Sequence, residues 1–393
     1  MDRDVRQPES SHPRAHRKPA ATAALLILAI VGVQTAGCGG GSSGNPGGGG
    51  PPPPTFTNFD APGAGTTSPQ GTFGTGITTN GNVIGYFIDA NGVFHGFIRT
   101  SLGAIATLDA PDAATTQNNG TLVTAMNGPG VAVGYYSAPS GFLHSYMVSS
   151  GGTLTEFDPP NSNGSTALCV NDGGAIAGAV IDVNGSHAYV RAADGTFTLF
   201  DPTGNPTQVS AALPHKINGS GAVVGSYIDT SHVHHGFLRN SNGTITILDA
   251  PGAGTAADEG TELVDMNSNG VIVGAISVGT VNGVVGTTHS VIRAADGTYT
   301  VFDPPQAGAH SSFAEWINDN GVVVGEYRDA NLVRHGYIRN SDGTFTSIDD
   351  PDAAQLPLSV TDLGTIPRGI NASGAIAGLF SDTNGVRHAF VRQ

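Results

Sequence analysis

The chain has 393 residues, 58 of them glycine, with 38 % hydrophobic and only 12 % charged residues and a formal charge of −15. Low charge with a steady supply of Val, Ile, Phe and Tyr excludes a disordered chain, and the glycine marks tight turns between short strands. The numbers favour an all-β protein, and its acidity argues against nucleic acid as a partner, because phosphate backbones are repelled.

In chain order, the first element is an address. Arg14, Arg17 and Lys18 precede an apolar stretch from about Ala20 to Val33, which is short for a membrane span and ends in small residues, the pattern of a secretory signal. The run Thr35-Ala36-Gly37-Cys38 resembles the bacterial lipobox, with Thr35 where that motif usually carries Leu. The resemblance implies a lipoprotein signal peptide over residues 1–37 and lipidation of Cys38. Residues 38–54 then form a tether: the run GGGSSGNPGGGGPPPP after Cys38 cannot bury a core, its glycines being flexible and its prolines extended. Without residues 1–37 the chain keeps 11 basic and 28 acidic residues, a formal −17. The expected product is exported and lipid-anchored to the bacterial cell envelope (outer membrane or cell surface) or extracellular, touching the membrane only through that anchor. The other cysteine, Cys169, falls in a strand-like run and reads as a core residue.

Residues 55–393 are periodic. A run of His, small, aromatic and aliphatic residues begins at His95, His144, His187, His235, His289, His335 and His388, at spacings of 43 to 54 residues. An aliphatic segment closed by Gly85, Gly134, Gly178, Gly225, Gly274, Gly325 or Gly378 precedes each run. Seven residues before each of these glycines stands Asn127, Asn171, Asn218, Asn267, Asn318 or Asn371, with Thr78 in the first copy. Asn-x-x-Gly and Asp-Gly turns divide each repeat into four short strands, the size of a propeller blade. An Asp-x-Pro signature, shortened to Asp-Pro at Asp201, ends the fourth strand at Asp60, Asp109, Asp158, Asp201, Asp249, Asp303 and Asp349. Its first copy precedes any His strand, and the chain ends directly after the last one. The predicted fold is therefore a seven-bladed β-propeller with four antiparallel strands per blade, closed by the N-terminal strand.

The intact triplet His388-Ala389-Phe390, with relaxed copies such as His187-Ala188-Tyr189, resembles the extracellular repeat proteins of the HAF family over roughly residues 55–393. That resemblance implies an exported repeat protein and carries no catalytic residues with it.

Seven histidines at one repeat position invite a metal reading, but their place in the third strand holds them apart, so they are read as structural. The Asp-x-Pro aspartates are expected to bond backbone N–H groups, and the arginines four residues after most histidines to stack on or pair with a neighbouring blade. His232 and His234 sit in a hairpin turn without a third ligand at diagnostic spacing. Neither a metal nor a cofactor is called for. Departure from the repeat is the better guide to function. Nine and ten residues before the repeat glycines, at the expected entry to the innermost strands, one arc carries His215, Lys216, Asp265, Glu315, Trp316 and Arg368, while the other is small and plain. An aromatic flanked by charges near a channel mouth suits a sugar or peptide. The leading expectation is a binding module for an extracellular glycan, peptide or protein. One alternative is a propeller-type polysaccharide lyase or hydrolase using His215 with Glu315 or Asp265 as acid and base. Another is a structural surface protein without a small ligand.

Overall fold

The computed structural model describes residues 54–182, 185–205, 209–279, 286–308, 311–354 and 364–393. The segment read as a signal peptide, Cys38 and nearly all of the segment read as a tether lie outside the described residues. Among those described the regular structure is strand throughout, 28 strands in four-stranded antiparallel runs. The first run is Gly71–Ile77, Val83–Ile88, Phe94–Arg99 and Ile105–Leu108, and the pattern restarts at Thr121, Ser165, Val209, Gly260 and Ser312. The last run supplies only Thr365–Ile370, Ile376–Ser381 and Arg387–Arg392. Its fourth strand is Phe56–Phe59, antiparallel with Phe56 opposite Arg392 and Phe59 opposite Ala389. Thr55 and Gln393 exchange two backbone hydrogen bonds of 2.9 and 3.0 Å just beyond this ladder.

Glycine fixes both the spacing within a unit and the join between units. A Cβ on Gly85 would lie 1.9 Å from the carbonyl of Phe73, so only glycine lets the second strand pass this close to the first. At the join, Gly120 opens a first strand at φ 135° against the third strand of the preceding unit, where a Cβ would lie 2.0 Å from the Phe94 carbonyl. Gly71, Gly260 and Gly364 meet Arg387, His234 and Arg334 in the same way. Between units the sheets pack face to face. Cys169, Ala177 and Ala188 of one meet Ala212, Ile217, Val223, Tyr227 and Phe237 of the next.

Each first strand also carries a bulge near its end, where its register against the second strand slips, and Val209–Ile217 has a further one between Val209 and Ala211. The residues bulged near the end are Thr75, Thr124, Leu168, His215, Val264, Glu315 and Arg368. These are the positions ten residues before the repeat glycines. The expectation that they mark strand entry is corrected: Val209–Ile217 begins six residues before His215 and ends two after it. They sit near the strand exit, beside the turn into the second strand. A bulge leaves one residue unpaired and breaks the ladder locally, so the regular alternation of a strand does not hold at these two offsets.

Candidate functional site

The recurrent histidines form one device, repeated. Nδ1 of His95, His144, His187, His235, His289 and His335 meets the aspartate fourteen residues on, Asp109, Asp158, Asp201, Asp249, Asp303 and Asp349, at 2.6 to 3.0 Å. His388 pairs with Asp60, so the last couple joins the N-terminal segment to the last unit. The expectation that these aspartates bond backbone N–H groups is corrected. Their partners are imidazoles, with the Ser165 and Ser312 hydroxyls also donating to Asp158 and Asp303. Each couple ties the third strand to the end of the fourth. Arg99, Arg191, Arg239 and Arg339 lie 4.6 to 4.9 Å over Phe59, Phe157, Phe200 and Phe302, each on the fourth strand of the preceding unit. His232 stands in its turn at φ 64°, while His235 is engaged by Asp249. Among the described residues no three His, Cys, Asp or Glu side chains come together in a way that could hold a metal ion.

At the other side of the first strands, the turns of every unit surround a cavity of about 380 Å³ lined by Thr78, Asn127, Asn171, Asn218, Asn267, Asn318 and Asn371. The asparagines do two jobs. Each Oδ1 accepts a turn N–H, as Asn127 does from Val131 at 2.7 Å. Most Nδ2 groups donate to the next unit's carbonyl: Asn127 to Asn171, Asn171 to Asn218, Asn267 to Asn318, Asn318 to Asn371, and Asn371 to Thr78, at 2.9 to 3.2 Å. The relay lapses in two places. Thr78 has no amide to donate, and Asn218 makes no such bond to Asn267.

Where Asn218 lapses, Lys216 and Asp265 cross the same boundary at 2.9 Å. Asp265 is 1 % exposed, and its second oxygen accepts the Ile317 N–H at 2.9 Å. Burial alone would lower the Lys216 pKa, but the adjoining carboxylate outweighs it and the net direction is up. The Lys216 ammonium lies 5.6 Å from the centre of the Trp316 ring, within cation–π range. His215, Lys216, Asp265 and Trp316 share the lining of an adjoining pocket of about 130 Å³, which overlaps the larger cavity at Lys216 and Ile317. Across it stand Gly76, Ala125, Cys169 and Gly369, the plain arc. Cys169 is buried there, its thiol pushed up to about 12 by desolvation.

Glu315 and Arg368 pair with each other and line neither cavity. The six candidates therefore divide into four on the pocket and two in a neighbouring ionic cluster, where Arg334 bonds Glu326 at 2.7 Å. His215 faces no carboxylate. Its Nε2 meets the Ser226 hydroxyl at 2.9 Å, and burial lowers its pKa to about 4, which leaves it neutral at pH 7. The acid–base couple needed by a hydrolase or lyase reading is not formed, since Asp265 is engaged by Lys216 and Glu315 by Arg368. Besides Arg334 and Glu326, the sequence reading also passed over Glu262, whose carboxyl is pushed up to about 7 by burial and then by Glu315. Its signal was available, because twelve residues before the repeat glycines the other units carry Phe73, Leu122, Thr166, Leu213, Phe313 and Ile366.

No protein-family model matches the chain, and no curated protein does, so the HAF resemblance rests on the recurring triplet alone. Solved structures do match. A streptogramin B lyase is 16 % identical at a TM-score of 0.51, covering 86 % of this chain and 98 % of its own. Virginiamycin B lyase from Staphylococcus aureus is 14 % identical at 0.52, covering 86 % and 99 %. The β-propeller domain of the Trilobed protease from Pyrococcus furiosus, described as having an open velcro topology, is 10 % identical at 0.52 and covers 82 % and 97 %. At these identities the likeness is one of fold: the chain is an all-β protein of propeller architecture.

Proposed function

We propose that the chain is an exported, lipid-anchored propeller of seven blades that binds an extracellular ligand, a glycan or peptide end, at its axial cavity. The carrying observation is the lopsided cavity wall, with Lys216, Asp265 and Trp316 facing Gly76, Ala125 and Gly369. An aromatic ring beside a charged pair, opposite small residues, leaves room for a polar ligand and offers it a stacking face. Binding is favoured over turnover because His215 is neutral and bonded to Ser226 rather than to a carboxylate. Closure into seven blades is supported by the Phe56–Phe59 strand completing the last unit and by the Asn371 bond to Thr78. Export and the anchor rest on the lipobox-like run ending in Cys38 and on the resemblance of the recurring triplet to HAF-type repeat proteins.

The test is a glycan and peptide array probed with the Cys38→Ser chain and with the same chain carrying Trp316→Leu, which keeps an apolar filling. Binding that the Trp316 variant loses supports the axial site. Binding indifferent to Trp316 removes it. For the anchor, expression in a bacterial host should place the wild type in the membrane fraction with a diacylglyceryl mass on Cys38. The Cys38→Ser chain should leave that fraction.

A further inference from the structure

We propose that the N-terminal strand Phe56–Phe59 is a pH-sensitive strap, held on the last unit while Asp350 is protonated and loosened when Asp350 ionises. The strap is held by a four-residue ladder on the last strand continued by the Thr55–Gln393 pair, by Phe56 edge-on against Phe390 at 5.4 Å, by Phe59 against Phe97 at 6.0 Å and under Arg99 at 4.6 Å, by Asp60 on His388, and by the Asn58 side chain. That side chain is bound in an unusual way. Its Nδ2 donates at once to Asp350 Oδ1 at 3.2 Å and to Asp352 Oδ2 at 3.0 Å, so two carboxylates converge on one amide.

Asp350 is the uncomfortable member. It is 0 % exposed, its Oδ1 also takes the Asp352 N–H at 2.9 Å, and its Oδ2 is buried without a partner. The equivalent position in the other six copies, directly after the repeat aspartate, holds Ala61, Ala110, Pro159, Pro202, Ala250 or Pro304. The groups that face Asp350 do little to relieve it. Asp352 on its own connection is a like charge, His388 from the last strand is engaged by Asp60, Asn58 contributes a neutral amide from the strap, and Thr365 accepts the Asp350 N–H at 2.8 Å. Asp349 beside it is occupied by His335. Among the described residues no Lys or Arg bonds it. Desolvation, with Asp352 adding to it, pushes its carboxyl up from 3.8 to about 6.

Lifting the strap removes the Asn58 side chain from Asp350 and lets water reach the carboxyl, where its pKa returns toward the ordinary carboxylate value. A group whose pKa is raised in the closed state favours closure when protonated. The hold is therefore complete below about pH 4 and is lost as pH rises through about 6. The full span of that shift corresponds to roughly a hundredfold rise in the open fraction, if strap opening hydrates Asp350 completely.

Hydrogen exchange followed by mass spectrometry on the full chain tests this at pH 4.5 and 7.5, with intrinsic rates divided out. The internal fourth strand Ile105–Leu108 serves as reference. We expect protection of Phe56–Phe59, relative to the reference, to fall by up to about twenty-five-fold between the two conditions in wild type. Protection should stay level in Asp350→Ala, the residue three other copies carry, and in Asp350→Asn, which keeps an acceptor for Asn58. A level wild-type strap overturns the proposal. So does a fall that persists in either variant, since the pH sensor would then lie elsewhere, at His388 and Asp60.

Discussion

The relay of amides around the cavity predicts a stabilising substitution. Thr78 already has the backbone of its asparagine counterparts: its N–H donates to the Asn82 carbonyl at 2.8 Å and its own carbonyl accepts from Gly81 at 2.9 Å. Asn127 makes the same pair at 3.0 and 3.1 Å. Its carbonyl also receives the Asn371 amide, as the other relay carbonyls receive theirs. What Thr78 lacks is a donor toward the Asn127 carbonyl. Thr78→Asn supplies it, while Oδ1 replaces Oγ1 as acceptor for the Asn82 N–H, now at 3.1 Å. One net hydrogen bond in a largely buried setting contributes about 1 kcal/mol, or about 2 °C in Tm for a domain somewhat above 250 residues. The reverse change, Asn127→Thr, should cost about the same, because it recreates the Thr78 situation one unit on. Calorimetry or chemical denaturation of both variants measures it. A Thr78→Asn chain no more stable than wild type would refute the reasoning, since the backbone match would then not extend to the side chain.

Other expectations follow from the same geometry. Asp349 and burial act oppositely on His335, and the hydrogen-bonded carboxylate wins, raising its pKa. A raised histidine contributes stability that is complete below about pH 6.5 and fades as pH rises through the folded value. His335→Gln should accordingly lose more stability at pH 5 than at pH 8.5 in urea titrations, and an equal loss would contradict this. Gly120→Ala forces a Cβ to within 2.0 Å of the Phe94 carbonyl at a positive φ, and should cost about 3 kcal/mol or prevent folding. An unchanged Tm in the Gly120→Ala chain would mean that the join between units is adjustable.

Much of the architecture is legible because the repeat couples covalent spacing to physical need. The glycine that lets the second strand touch the first cannot vary, so Gly85 and its six equivalents mark the units. The histidine–aspartate couple was equally legible and was not read. Both series were visible, and the constant offset of fourteen from His95 to Asp109 through His335 to Asp349 identifies the partners. The bulge was harder. A strict two-residue alternation has no place for Glu315 and Trp316 side by side on the inner strand, and nothing in the local sequence marks a slip that residues as unlike as Thr75, Leu168 and Arg368 all occupy. Charge complementarity across units also lay beyond reach, because Glu315 and Arg368 are 53 residues apart and meet only when neighbouring units stack.

A residue that departs from a repeat does so either to repair a boundary or to meet a ligand, and the axial arc contains both kinds. Lys216 and Asp265 span the boundary at which the Asn218 amide fails to reach Asn267, so their pairing replaces a lost rung. Trp316 repairs nothing of that sort, for at its position the other units hold Gly76, Ala125, Cys169, Lys216, Asp265 and Gly369, and no amide is missing there: Asn318 reaches Asn371. The two roles separate experimentally. Lys216→Met strands the buried Asp265 carboxylate and should cost about 3 kcal/mol, whereas Asp265→Leu leaves a lysine that is 34 % exposed and can turn to water, and should cost less. The double variant should recover most of the loss, because an apolar pair of similar volume needs no counter-charge. Trp316→Leu should instead leave stability within about 2 kcal/mol of wild type, its ring being only partly buried, while removing the stacking face. Equal stability losses in Lys216→Met and Asp265→Leu, with no recovery in the double variant, would show that the pair is not a boundary repair.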